Sequence, residues 1–176
     1  MKLVFVNTKD NDYQDQINDL GATHFLSRAI GYVYDNDNKR VGEFTGYKLN
    51  ANEILEDKEG SFFVMDGISQ LLNYAYVLLV EKEAEFLFST NVFFLNRLSL
   101  YEENHLLELE VLKYLIDLHE SVIYSLGATE LLDHDFLEYQ ASEKYSDYWY
   151  HQLISCGWEY YDQCNLFYDI NINKLI

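Results

Sequence analysis

Apolar residues follow two different spacings along the chain, and the two spacings alternate. Between residues 91 and 128, the segments NVFFLNRLSL and SVIYSL are apolar at strand length. Four apolar positions at helical spacing lie between them: Leu107, Val111, Leu115 and Leu118. The pattern predicts a strand, a crossover helix and a second, parallel strand. Because parallel sheets place ligands where a strand leads into a helix, residues 100–108 are the predicted place for chemistry.

The same spacing rules predict the remaining elements. Residues 2–7 form a first, largely buried strand, and a helix begins within the polar stretch that follows. Residues 29–34 and 41–49 form a β-hairpin, because the linking DNDNKR tolerates left-handed turn conformations. A helix runs from Asp66, its predicted N-cap, to about residue 85. A loop over residues 127–141, a helix over residues 142–155 and a closing strand pair, GWEYY and NLFYDI, complete the chain.

Length and composition favour one folded domain over residues 1–176. Of the 176 residues, 49% are hydrophobic, which is enough for a core of ordinary size. The sequence contains no proline, no low-complexity linker and no visible repeat. These features predict a single α/β (α+β) domain.

The charge balance excludes several classes of partner. Thirty acidic residues face twelve basic ones, which gives a net charge of −18. Such a surface repels nucleic acid phosphates and anionic membranes and favours a protein partner with a basic surface. The longest apolar run is interrupted by Lys82, Glu83 and Glu85, so no membrane span is expected. Two cysteines and the absence of a signal-peptide pattern at the start predict a cytoplasmic protein.

The order of elements and two motifs resemble the GCN5-related N-acetyltransferase family. The motifs are LSLYEENHLLELEVLKYLIDL, similar to the family's strand, cofactor turn and helix, and YHQLISCGWEYYDQCNLFYDI, similar to its closing segment. The resemblance implies a mixed central sheet flanked by helices. It also implies acetyl-coenzyme A, held by a turn of the form Arg/Gln-x-x-Gly-x-Gly/Ala before the helix.

This chain departs from the family in that turn. Glu103 takes the place of the Arg or Gln, and bulky or acidic Leu106 and Glu108 take the places of the two small residues. The degenerate turn is Glu103, Asn104, His105, Leu106, Leu107 and Glu108, and Glu102 precedes it. A like-charge pair a few ångströms apart costs on the order of a few kcal/mol at an effective dielectric near 20. We therefore expect no bound cofactor.

The family's proton-transfer residues are also displaced. Many members carry a tyrosine five residues before the Phe of a closing Leu-Gly-Phe, and that position is Leu153 here. Tyr150 lies three residues earlier and would serve as the acid if the chain were active, with Glu43 as a base by position alone. A glutamate on a strand is more commonly just a solvated residue.

Metal and thiol chemistry are not predicted. The five histidines form no i, i+4 pair and have no cysteine at zinc-ligand spacing. His134 lies between two aspartates, a short pattern that is more typical of a solvated turn than of a cation site. Cys156 and Cys164 are expected to be reduced core residues.

The acidic surface gives the leading functional hypothesis. Glu110, Asp117 and Glu120 are predicted to share one face of the crossover helix with only Lys113 among them. With Glu102 and Glu103 they would bind a partner, aided by the rings of Tyr145, Tyr148 and Trp149. The alternatives are a merely solvated face and rings that pack in the core.

Three functions follow from these observations. The first is a non-catalytic protein that inhibits or adapts a nucleic-acid-binding protein by imitating phosphate spacing, as small phage-encoded anti-defence proteins do. The second is an acetyl-coenzyme A-dependent N-acyltransferase with an atypical cofactor loop. The third is a small enzyme of unrelated fold.

Overall fold

The computed structural model describes residues 1–6, 12–101, 105–125, 129–131 and 150–170. Its strands are β1 (Lys2–Val6), β2 (Leu26–Tyr34), β3 (Arg40–Leu49), β4 (Val92–Leu100), β5 (Ser121–Ser125), β6 (Thr129–Leu131), β7 (Glu159–Tyr161) and β8 (Leu166–Ile170). Its helices are α1 (Asp12–Asp19), α2 (Ala51–Glu56), α3 (Lys58–Ile68), α4 (Gln70–Glu81), α5 (Glu83–Phe86) and α6 (His105–Leu118). Residues 150–155 are also helical. Within the described ranges, every helix is too short or too polar to cross a bilayer.

The strands form one mixed sheet, which confirms the predicted fold class. The strand order is β1-β2-β3-β4-β5-β8-β7, and β6 pairs with β4. The β4–β5 and β4–β6 pairs are parallel, and the other pairs are antiparallel. The predicted crossover (β4, α6, β5), the β2–β3 hairpin and the closing β7–β8 pair are therefore confirmed.

Strand β4 has two parallel partners in succession. Its first half, residues 92–95, pairs with β5, and its last residues, 98–100, pair with β6. Between the two, the β3–β4 register shifts at Thr45 and Gly46, which leaves Asn96 without an opposite residue. At this β-bulge the parallel partner of β4 changes from β5 to β6. The carboxyl end of β4 thus leads into α6 with both edges paired.

The core lies on both faces of the sheet because β4 alternates its side chains. Phe94 packs in a cluster with helices α1 to α4, including Ile17, Leu72 and Leu79. Phe93 points to the opposite face, where it packs with Leu112 of α6 and with other buried residues. The two faces explain why six of the nine residues of β4 are apolar.

Three predictions about the elements are wrong. Strand β1 is at the edge of the sheet, and four of its five residues are exposed or half-buried, because an edge strand has a neighbour on one side only. Asp66 lies inside α3, which is capped by Asp57, and Ser69 caps α4 by accepting from the amide of Leu72 at 3.1 Å. The loop predicted over residues 127–141 contains β6, whose backbone pairs with the end of β4.

Candidate functional site

A cavity of about 430 Å³ lies where β4 leads into α6. The β2–β3 hairpin forms one side of it, with Asp35, Asn36, Lys39, Arg40 and Val41. The crossover forms the other side, with Tyr101, Leu106, Leu107 and Glu110, and Met1 completes the lining. The position matches the predicted place for chemistry, the carboxyl end of a parallel strand.

The hairpin side of the cavity is shaped by its turn. The Oδ1 atom of Asp35 accepts hydrogen bonds from the amides of Asp37 and Lys39, both at 2.9 Å. Asn38 takes a φ of +59°, a left-handed conformation that asparagine tolerates well. The turn therefore places Lys39 and Arg40 at the start of β3, beside the cavity.

Arg40 is held in place by its neighbours. Its guanidinium carbon lies 3.7 Å from the centroid of the Tyr32 ring, and its Nη2 atom lies 2.5 Å from Oε2 of Glu43. An arginine that is stacked and paired in this way has a fixed orientation. Arg40 is therefore part of the wall of the cavity.

The crossover side is joined to the hairpin by the backbone. The amide of Tyr101 donates a 3.0 Å hydrogen bond to the carbonyl of Val41. In the first turns of α6, Leu106 is 73% exposed, Leu107 is half-buried and Glu110 is exposed. The exposed leucine and the carboxylate give the helix side an apolar floor and a charged rim.

The charges of the lining divide into occupied and available groups. Arg40 is paired with Glu43, and Asp35 holds the hairpin turn. Neither the ammonium of Lys39 nor the carboxylate of Glu110 forms a hydrogen bond or an ion pair within the described part of the chain. The α-ammonium of Met1 donates a hydrogen bond to Oδ1 of Asn36. Among the side chains of the lining, Lys39 is thus the available cation on the hairpin side and Glu110 the available anion on the helix side.

Only part of the degenerate turn lies within the described residues. Glu102, Glu103 and Asn104 lie outside the described residues, and His105 begins α6. Leu106 and Leu107 line the cavity, whereas Glu108 is 2% exposed and lies in the interior. The two positions that would be small in the acetyltransferase family therefore hold an exposed leucine and a buried glutamate.

The two candidate catalytic residues are not brought together. Glu43 lies on β3, paired with Arg40. Tyr150 begins the helical residues 150–155, and its ring lies 5.2 Å from the ring of Tyr160 on β7 and 6.0 Å from that of Phe167 on β8. Strand β3 is separated from β8 by β4 and β5, which amounts to about 14 Å at the usual strand spacing.

Tyr160, next to Tyr150, has a hydroxyl whose pKa is raised. Burial raises the pKa of its hydroxyl, and the nearby charge of Asp162 and the neighbouring Tyr150 raise the pKa further. The hydroxyl lies 2.5 Å from Oδ1 of Asn165, to which it donates a hydrogen bond. A raised pKa keeps this hydroxyl protonated at neutral pH, so it acts as a donor.

The candidate partner-binding residues have different environments. Glu110, Lys113 and Asp117 are exposed on α6, as predicted. Glu120 is not on that helix, which ends at Leu118. Its Oε2 atom accepts from the amides of Thr90 at 2.7 Å and Asn91 at 3.0 Å. Tyr145, Tyr148 and Trp149 lie outside the described residues.

An apolar surface on α3 was missed by the sequence reasoning. Phe62 is 37% exposed and Phe63 is 67% exposed. They lie between Glu59 and Asp66 on the same helix, and both of those acids are exposed. Two adjacent phenylalanines between acidic residues are the sequence signal that points to this surface.

His119 has a structural environment, whereas His134 lies outside the described residues. His119 is buried, its Nδ1 atom lies 2.7 Å from Oδ1 of Asn91, and its ring stacks on Phe93. Both cysteines are free, but Cys156 is exposed and therefore not a core residue as predicted. No group of three potential metal ligands occurs among the residues that the structure describes.

Comparisons of the chain with protein-family models, with curated proteins and with solved structures found no match.

Proposed function

We propose that this is a non-catalytic, acidic binding protein that occupies a protein partner with a basic surface. The observation that carries the proposal is the exposed phenylalanine pair of α3, Phe62 and Phe63, between the acidic Glu59 and Asp66. Exposed aromatic groups with a polar rim are typical of protein interaction sites.

The aromatic surface is continuous across two helices. The ring centroid of Phe62 lies 5.7 Å from that of Phe63 and 5.6 Å from that of Tyr76 on α4. The hydroxyl of Tyr76 donates a 2.9 Å hydrogen bond to the carbonyl of Lys58. This bond fixes α4 against the start of α3, so the rings form a preorganised contact surface.

The charges around the rings favour a basic partner. Lys58 is the one basic residue between residues 51 and 68, and its ammonium lies 2.5 Å from Oε2 of Glu83. The same stretch carries five acids: Glu53, Glu56, Asp57, Glu59 and Asp66. A partner helix with an apolar stripe and a Lys- or Arg-rich rim would match both the rings and the charges. A basic, nucleic-acid-binding protein would then be blocked by carboxylates in place of phosphates, as phage-encoded anti-defence proteins block their targets.

Salt-dependent capture with matched variants tests this function. The protein is used to capture partners from lysate at low and high salt, with Phe62→Ser/Phe63→Ser and Glu59→Lys/Asp66→Lys as the test variants. Phe88→Ser is the control, because Phe88 is 79% exposed and follows α5. We expect a basic protein to be captured at low salt, lost at high salt, lost with both test variants and kept by the control. Capture that neither variant weakens would overturn the role of the α3 surface, and the absence of a salt-sensitive basic partner would overturn the function.

An acetyl-coenzyme A-dependent N-acyltransferase is the second candidate. The parallel β4–β5 pair with its crossover helix supports it, because this arrangement is part of the resemblance. The pairing of residues 98–100 with β6 speaks against it, since the backbone of these three residues is engaged by β6 on the edge where a ligand would bind. Calorimetric titration with acetyl-coenzyme A separates the two candidates: micromolar binding would favour the enzyme.

A further inference from the structure

We propose that the cavity between the β2–β3 hairpin and α6 binds a small zwitterion with an apolar body, of the chemistry of a hydrophobic amino acid. This inference is independent of the α3 surface and goes beyond the proposed partner binding. The cavity is a second site, on a different part of the molecule.

The charges of the lining determine the ligand class. Lys39, on the hairpin side, offers an ammonium group to a carboxylate, and Glu110, on the helix side, offers a carboxylate to an ammonium. Within the described part of the chain, the two side chains form no ion pair with each other or with another residue. A ligand with one charge of each sign would pair with both, whereas a ligand with a single charge would leave one unsatisfied.

The rest of the lining determines the body of the ligand. Val41, Leu106 and Leu107 provide apolar surface, and Tyr101 adds an aromatic ring. The volume of about 430 Å³ lies at the small end of the range of ligand pockets, roughly 300–1,000 Å³. A compact apolar body between two charged groups fits this combination.

Three related probes test the assignment by NMR titration of the full chain at low salt. L-Phenylalanine carries both charges, 3-phenylpropionate carries only the carboxylate, and phenethylamine carries only the ammonium. We expect L-phenylalanine to bind about tenfold more tightly than either analogue, with shifts at residues of the cavity. Equal affinity for all three probes, or no saturable shift, would overturn the proposal.

Variants that remove one charge each test which residue binds the carboxylate of the ligand and which binds its ammonium. Lys39→Met should weaken L-phenylalanine and 3-phenylpropionate by about three- to tenfold and leave phenethylamine unchanged. Glu110→Gln should weaken L-phenylalanine and phenethylamine and leave 3-phenylpropionate unchanged. Lys48→Met and Glu56→Gln are the controls, because both side chains are exposed and lie outside the cavity. If the controls weaken binding as much as the test variants do, general charge explains the affinity and the site is wrong.

Discussion

The hydroxyl of Tyr168 donates a 2.6 Å hydrogen bond to Oε2 of Glu159, its cross-strand partner on β7. The side chain of Tyr168 is 1% exposed, so the bond joins the core to the edge of the sheet. Burial raises the pKa of this hydroxyl, and the hydrogen bond to Glu159 and the charge of Glu85 raise it further. The hydroxyl therefore remains a donor across the neutral range.

Removing this hydroxyl should destabilise the fold. Tyr168→Phe deletes a hydrogen bond to a charged acceptor while keeping the ring, and such bonds contribute about 1.5–3 kcal/mol. Because Glu159 is exposed and can be solvated, we expect a loss of about 1 kcal/mol in the free energy of unfolding, measured by urea denaturation. Glu159→Gln keeps an acceptor and should cost less. A Tyr168→Phe protein as stable as the wild type would contradict the structural role of the bond.

Glu120 and Glu110 should respond differently to truncation. Glu120→Ala removes the acceptor of two backbone amides, those of Thr90 and Asn91, and should cost about 1–2 kcal/mol of stability. Glu110→Ala removes an exposed carboxylate and should change stability by less than about 0.5 kcal/mol. Thermal or urea unfolding of both variants checks this. Equal effects would show that Glu120 is simply a solvated surface residue.

The crossover unit could be predicted from the sequence because its signal is local. Strand β4 is buried on both faces over residues 92–95, so these four residues form a continuous apolar run. Helix α6 keeps Val111 and Leu115 buried at helical spacing. Neither feature depends on residues that are distant in the sequence.

The place of the cavity could be predicted from the crossover, but its hairpin side could not, because the lining joins distant segments. The hydrogen bond from the amide of Tyr101 to the carbonyl of Val41 brings together residues sixty positions apart. The charges of residues 102–108 are visible in the sequence, but nothing in the sequence places Lys39 beside that segment. Sheet register, which follows from the whole fold, decides which charges meet.

The start of the helical region was mispredicted for a local reason. Asp57, Asp66 and Ser69 are all suitable N-caps, and spacing alone does not choose among them. Helix α3 was not predicted because Gly60 and Gly67 are poor helix formers and because its exposed phenylalanines obscure the apolar spacing of a helix. Its stability comes from the packing of Met65 and Ile68 in the core.

Two glycines should respond in opposite directions to alanine. A Cβ atom on Gly46, at the β-bulge, would lie 2.5 Å from the carbonyl oxygen of Phe94 and 2.7 Å from the ring of Phe93. We expect Gly46→Ala to cost about 2–4 kcal/mol, because backbone must move to make room. Gly67→Ala on α3 meets nothing within 4 Å and should stabilise the fold by about 0.5 kcal/mol. Urea denaturation of both variants measures whether the free energy of unfolding falls for Gly46→Ala and rises for Gly67→Ala. An unchanged free energy of unfolding for Gly46→Ala would contradict the close approach of β3 and β4.

The carboxyl group of Asp169 gives the stability of the fold a predictable pH dependence. Asp169 is half-buried on β8, and burial raises the pKa of its carboxyl above the ordinary value for aspartate. The folded state therefore binds the proton more tightly than the unfolded state does. The protonated carboxyl of Asp169 makes its full contribution to the free energy of unfolding below the pKa of the unfolded state, about 3.9. This contribution is lost as the pH rises through the pKa of the folded state.

Replacing Asp169 with asparagine should remove the loss of stability that accompanies ionisation of the carboxyl group. We expect Asp169→Asn to be more stable than the wild type at pH 7, by less than about 1 kcal/mol, because the buried charge is absent. The backbone carbonyl of Asp169 still accepts from the hydroxyl of Ser121 at 2.8 Å, so the strand pairing is kept. Urea denaturation of both proteins between about pH 4 and pH 7 measures the difference. The advantage of the variant should grow as the pH rises from about 4, and a constant or shrinking advantage would show that the carboxyl is not disfavoured by its burial.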